Sequence, residues 1–91
     1  MDEHLKQTKA FFDSMAEKWD TFCYHDPAKL AAIVTLSGFA ENAKIADIAC
    51  GTGVLFPEIL KRNPSELYGI DLSDKMLEAA AKKFNDGRIK L

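Results

Sequence analysis

Charge of one sign does not dominate this chain: 12 Lys and Arg stand against 14 Asp and Glu, and the two signs are interspersed. Without a basic patch, nothing in it advertises nucleic acid binding. Cysteine is scarce. Cys23 and Cys50 lie far apart, with no CxxC or paired-histidine pattern beside either, which argues against a disulfide scaffold or a zinc site. No metal site is expected. His4 and His25 stand apart from each other and read as surface or packing residues. No apolar run approaches the roughly 20 residues that span a bilayer, so no membrane association is expected. The opening "MDEHLKQTKAFFD" is charged throughout and lacks the apolar core of a secretory signal. A soluble, cytoplasmic protein is the expectation.

What is present is an ordinary globular balance, with 47% hydrophobic and 29% charged residues over a length suited to one domain. Two stretches differ in pattern. In residues 1–43, Phe11, Phe12, Met15, Trp19 and Phe22 recur at helical spacing, which predicts one apolar helix stripe packed on the body of the domain. The alternative is that Trp19 or its neighbours line a pocket. Asp26 and Pro27 predict the cap and first turn of a second helix that stops near Gly38.

Residues 44–91 read as strand, helix, strand, helix and the start of a third strand. "KIADIA" and "ELYGID" are short, apolar runs that predict strands buried on both faces. Ser73 reads as a helix cap with Asp74 in the first turn. That helix is expected to bury Met76, Leu77, Ala80 and Phe84, with a Glu78–Lys82 pair on its outer side. Such alternation means crossover connections and a parallel sheet, whose ligands bind outside the carboxyl ends of the strands. Gly51, Gly53 and Asp71 all fall at such ends.

Three glycine-loop chemistries compete for "IADIACGTGVLF". A P-loop needs a lysine at a spacing that is absent here. A dinucleotide fingerprint needs glycine or alanine at its third position, where this chain has the bulky Phe56. The third fits better. "DIACGTG" resembles the first motif of class I S-adenosylmethionine-dependent methyltransferases, and "YGIDLSDKMLEAAAKK" resembles the second. The segment "FFDSMAEKWD" is similar to the lead-in helix of the branch that includes quinone-biosynthesis methyltransferases.

The resemblance implies an α/β fold with a Rossmann-like parallel sheet. It would be the first half of a seven-stranded sheet of order 3-2-1-4-5-7-6, with residues 1–43 as a helical lead-in and 44–91 as a partial cofactor-binding domain. It implies S-adenosylmethionine as cofactor and methyl transfer to a small-molecule acceptor. Asp47 would meet the ammonium end of the cofactor; its other reading is a cap on nearby loop amides. Gly51 and Gly53 would let the backbone approach the methionine part, with helix-end N–H groups facing the cofactor's carboxylate. Thr52 and Cys50 would contribute chiefly backbone groups, Cys50 being a packing residue. Asp71 would accept from the ribose hydroxyls, as against simply capping the next helix. Leu72, Ser73 and Met76 would border the adenine.

Many family members have glycine where this chain has Ala49, which should fit in extended backbone. Catalytic residues are expected beyond Leu91, and none is assigned. An isolated 91-residue chain, lacking the fourth strand, is expected to dimerise. Other readings are another Rossmann-fold enzyme, such as an aminopropyltransferase, and a non-catalytic cofactor-binding or assembly module.

Overall fold

A computed structural model describes residues 2–91. Helix α1 (Glu3–Met15) begins where the Asp2 carboxylate accepts from Leu5 N. The predicted unbroken stripe does not form. Ala16–Lys18 tighten into a 3-10 turn, and the four-residue helix α2 (Trp19–Phe22) follows. No glycine or proline sits at the break, so its cause is tertiary. Asp13 and Asp20, one on each side, are tied to other parts of the fold by contacts described below. Phe11 and Phe22 are left exposed, whereas Phe12 and Trp19 meet edge to face at 5.7 Å. Helix α3 (Pro27–Ser37) is capped by Asp26 and closed by Gly38, as predicted.

Strands β1 (Lys44–Ile48), β2 (Glu66–Ile70) and β3 (Ile89–Lys90) form a parallel sheet in the order β1-β2-β3. Helices α4 (Phe56–Leu60) and α5 (Asp74–Lys83) make the crossovers. This is the expected Rossmann-like arrangement, but its strands are covered on one face only. Ile45 pairs with Leu67 and Asp47 with Gly69. Leu67 and Gly69 are buried and Ile45 packs on the core. On the opposite face Ile48, Tyr68 and Ile70 are exposed. Successive strand residues point to opposite faces, so a sheet with one covered face alternates where a fully enclosed one would not. Among the described residues β1 has no neighbour on its other edge.

The core gathers around Phe56, Leu67 and Ala80, with Val34, Cys50 and Ile59 about them. Burying a Phe or Leu side chain contributes about 1.5–3 kcal/mol. Ser73 caps α5 by accepting from Met76 N, and Asp74 occupies the first turn. Met76 and Ala80 are buried; Leu77 and Phe84 are half-buried against the core. Phe84 lies just past the helix end, 5.4 Å between centroids from Phe56. The Glu78–Lys82 pair is replaced by Lys75–Glu78 at 3.3 Å, because Lys75 reaches Glu78 at i,i+3 spacing. Both partners are exposed, so little stability depends on the exchange.

Candidate functional site

The glycine turn is shaped first by its own backbone. Ala49, Gly51 and Gly53 have φ of 61°, 58° and 81°. Ala49 is therefore left-handed and not extended, which costs an alanine roughly 1–2 kcal/mol. The chain must leave β1 while Cys50 N still donates to Ile70 O at 3.0 Å, then present Gly51 N to Asp71. Gly53 is needed for a different reason. A Cβ there would stand 2.6 Å from Phe56 Cδ2, and one on Gly69 would stand 2.7 Å from Phe56 Cζ. What comes close to Gly53 is the Phe56 ring. The bulky residue fits because the loop and the neighbouring strand each supply a glycine beside it.

Asp71 follows β2 and joins two strand ends. Gly51 N donates to its Oδ2 at 2.8 Å, and Ser73 N donates to its Oδ1 at 2.9 Å. The capping role weighed for Asp71 is present, and each carboxylate oxygen retains further acceptor capacity. Asp47 behaves otherwise. Its Oδ2 is buried with no hydrogen-bond partner among the described residues, so the loop amides do not cap that oxygen. Burial, with the Asp71 charge second, pushes its carboxyl above the usual range. The Cys50 thiol, raised to about 11 by burial and then by Asp47 and Asp71, stays protonated and serves packing.

A cavity of about 360 Å³ lies on this rim. The loop contributes Ala49, Cys50, Gly51 and Thr52, and the end of β2 with the start of α5 contributes Asp71, Leu72 and Met76. Three expected residues stand off its wall. Asp47, on the covered face of β1, lines a separate groove beside α3. Gly53 lines another neighbouring groove, its inner side occupied by Phe56. Ser73 is fully buried, its hydroxyl engaged in capping and in a contact to Asp13.

The lead-in supplies the remainder, with Phe12, Trp19 and His25 on the cavity lining. Trp19 thus follows the alternative reading. The helical stripe concealed it, since spacing alone cannot show that the helix breaks after Met15. Two carboxylates hold the lead-in in place. Asp20 accepts from Thr52 Oγ1 and from Lys83 Nζ, both at 2.7 Å. Burial works to raise its carboxyl, and the contacts from Lys83 and Thr52 outweigh it and hold it low. Asp13 accepts from Lys9 Nζ at 2.6 Å and from Ser73 Oγ at 2.5 Å. Those contacts, Lys9 first, hold its carboxyl at about 2.

Chemically, the cavity suits a cationic ligand without phosphate. Asp71 is on its wall, Asp47 is near enough for their charges to act on one another, and no Lys or Arg lines it. A pyrophosphate would meet the Asp71 carboxylate and find no cation. Leu72, Met76 and Trp19 offer apolar contact to a flat ring. Among the described residues there is no cluster of three or more His, Cys, Asp or Glu able to hold a metal ion. Nor, among them, is any helix long and apolar enough to cross a membrane.

Fold and site together define a Rossmann-like domain with a cavity at the carboxyl ends of its parallel strands, lined by Asp71 and, among the described residues, by no Lys or Arg. Comparison with known proteins narrows this. The family described as "Methyltransferase domain" matches residues 45–91. Demethylmenaquinone methyltransferase of Thermotoga maritima is 33% identical over 88 residues, covering 90% of this chain and 38% of that protein. Carboxy-S-adenosyl-L-methionine synthase of Nitratiruptor is 30% identical over 83 residues, covering 89% of this chain and 34% of that protein. The crystal structure of a SAM dependent methyltransferase from Aquifex aeolicus aligns with a TM-score of 0.64 at 22% identity, covering 87% of this chain and 45% of that one. This last likeness speaks to the fold. The chain belongs to the class I S-adenosylmethionine-dependent methyltransferases, whose cofactor is S-adenosylmethionine. It spans about a third of the length of the curated relatives it matches.

Proposed function

We propose that this chain is the cofactor-binding part of a methyltransferase that transfers the methyl group of S-adenosylmethionine to a small-molecule acceptor. The observation that carries the reading is Asp71. Its carboxylate is fixed at the cavity wall by two backbone amides and keeps acceptor capacity for two ribose hydroxyls. Leu72 and Met76 would flank the adenine. Asp47, whose Oδ2 is buried without a partner among the described residues, would meet the ammonium group through water or after a small adjustment of the loop. When bound, the cofactor supplies an electrophilic methyl on a sulfonium. The chain's own residues bind and orient it and limit water around it, with Phe12 and Trp19 lying against the cavity.

Calorimetric titration with S-adenosylhomocysteine tests the reading. Native protein is expected to bind it and to give no heat with NAD. Asp71→Ala is expected to lower the affinity by about tenfold to a hundredfold, the value of a hydrogen bond to a charged group. An affinity unchanged by Asp71→Ala would reject this placement of the ribose.

A further inference from the structure

Two buried side-chain polar atoms lack a hydrogen-bond partner among the described residues, Asp47 Oδ2 and His25 Nε2. The first has a place in the reading above. The second does not. His25 stands between α2 and α3 and lines both the cofactor cavity and the adjoining groove that contains Gly53 and Val54. That groove includes neither Asp71 nor Met76, so His25 borders the cavity where it adjoins Gly53 and Val54 of the glycine turn.

At this end of the cavity part of the donor set is already engaged within the protein. The resemblance implies helix-end N–H groups facing the cofactor's carboxylate, yet α4 has only five residues and starts as late as Phe56. Gly51 N is engaged by Asp71, Gly53 N by Cys50 O and Phe56 N by Gly53 O, whereas Thr52 N, Val54 N and Leu55 N have no partner among the described residues. The Thr52 hydroxyl donates to Asp20. No Lys or Arg lines the cavity. A carboxylate brought into this site loses hydrogen bonds to water that protein donors must replace, and the buried Nε2 of the half-buried His25, itself without a partner, stands beside the free loop amides. Lys83 pairs with Asp20 at 2.7 Å, which moderates the lead-in carboxylate whose charge interacts with His25.

We propose that His25 is a binding contact for the amino-acid end of the cofactor, its Nε2 donating to the α-carboxylate of the methionine part alongside the free amides of the glycine turn. The contact rests on the cofactor reading above and adds a residue from the lead-in to it. The test compares two nucleosides on each variant: S-adenosylhomocysteine, which has the carboxylate, and 5′-methylthioadenosine, which lacks the whole amino-acid end. In calorimetry, His25→Ala is expected to weaken S-adenosylhomocysteine about tenfold and to leave methylthioadenosine within about twofold. His25→Gln, of similar size and with an amide donor, is expected to recover part of the loss and serves if the alanine variant folds poorly by circular dichroism. Equal weakening of both nucleosides in folded variants, or indifference of S-adenosylhomocysteine to His25→Ala, overturns the contact alone. Native protein that binds neither nucleoside overturns the cofactor reading and the contact with it.

Discussion

Before Lys44 the buried apolar residues are Ala16 and Val34; after it they are Cys50, Phe56, Ile59, Leu67, Met76 and Ala80. The lead-in and the strand–helix half both line the cofactor cavity, but they are held differently. The strand–helix half excludes water from large side chains, Phe56 and Leu67 among them, and the hydrophobic effect stabilises it with little regard to salt or pH. The lead-in helices α1 and α2 have no buried residue of their own. They are fastened by the carboxylates of Asp13 and Asp20 to Ser73, Thr52 and Lys83. Contacts of that kind depend on ionisation and on screening. The difference teaches that one side of the cavity can loosen while the other stays folded.

The comparison is broken most severely from the core side. Phe56→Ala would empty the space between Gly53, Gly69 and Phe84 and is expected to cost about 3–5 kcal/mol in urea unfolding. A loss below about 1 kcal/mol would mean that the two halves do not differ in the way described. Acid should separate them next. The Asp13 carboxyl is held at about 2 against an ordinary 3.8, so its contribution is complete above the ordinary value and disappears as pH falls through about 2. Asp20, also lowered, acts in the same direction. Trp19 is the chain's one tryptophan and lies in the lead-in, so its fluorescence reports this release while the methyl NMR signals of the buried Leu67 follow the strand–helix half. The double variant Asp13→Asn, Asp20→Asn is expected to show a similar fluorescence shift at neutral pH. Coincident changes in Trp19 fluorescence and in the Leu67 methyl signals in both experiments would deny the lead-in separate behaviour.

The smallest effect lies on the loop between the two halves. Ala49→Gly relieves a left-handed alanine, worth roughly 1–2 kcal/mol, and loses about 0.5–1 kcal/mol to the greater freedom of the unfolded chain. A net gain of about 0.5–1 kcal/mol is expected, seen as a rise of a few degrees in Tm. A fall in Tm would show that the Ala49 methyl group packs usefully where it lies.

Much of the strand–helix half was legible because its signals are local. Ser73 before Asp74 caps a helix, Asp26 before Pro27 opens one, and Asp71 ends a strand, all through neighbours within a few residues. The glycine turn was legible as a turn, whereas the strain at Ala49 was not. Its φ depends on Cys50 N remaining paired with β2 while Gly51 N turns to Asp71, partners 20 residues distant along the chain. The break in the lead-in was hidden for the same reason, since Asp13 and Asp20 act on residues 32 to 63 positions away.

By itself, then, the amino-acid sequence determined the order of the elements from Asp26 onward, the parallel sheet and the cofactor family. Each of these is written in periodicity, caps and short motifs. Only the tertiary structure decided which polar groups remain free at the rim. It engages Gly51 N, Gly53 N and the Thr52 hydroxyl within the protein, seals Ser73, and leaves Asp47 Oδ2 and His25 Nε2 buried without partners. Whether a polar group is satisfied depends on what lies within about 3 Å of it, and that follows from how distant segments pack.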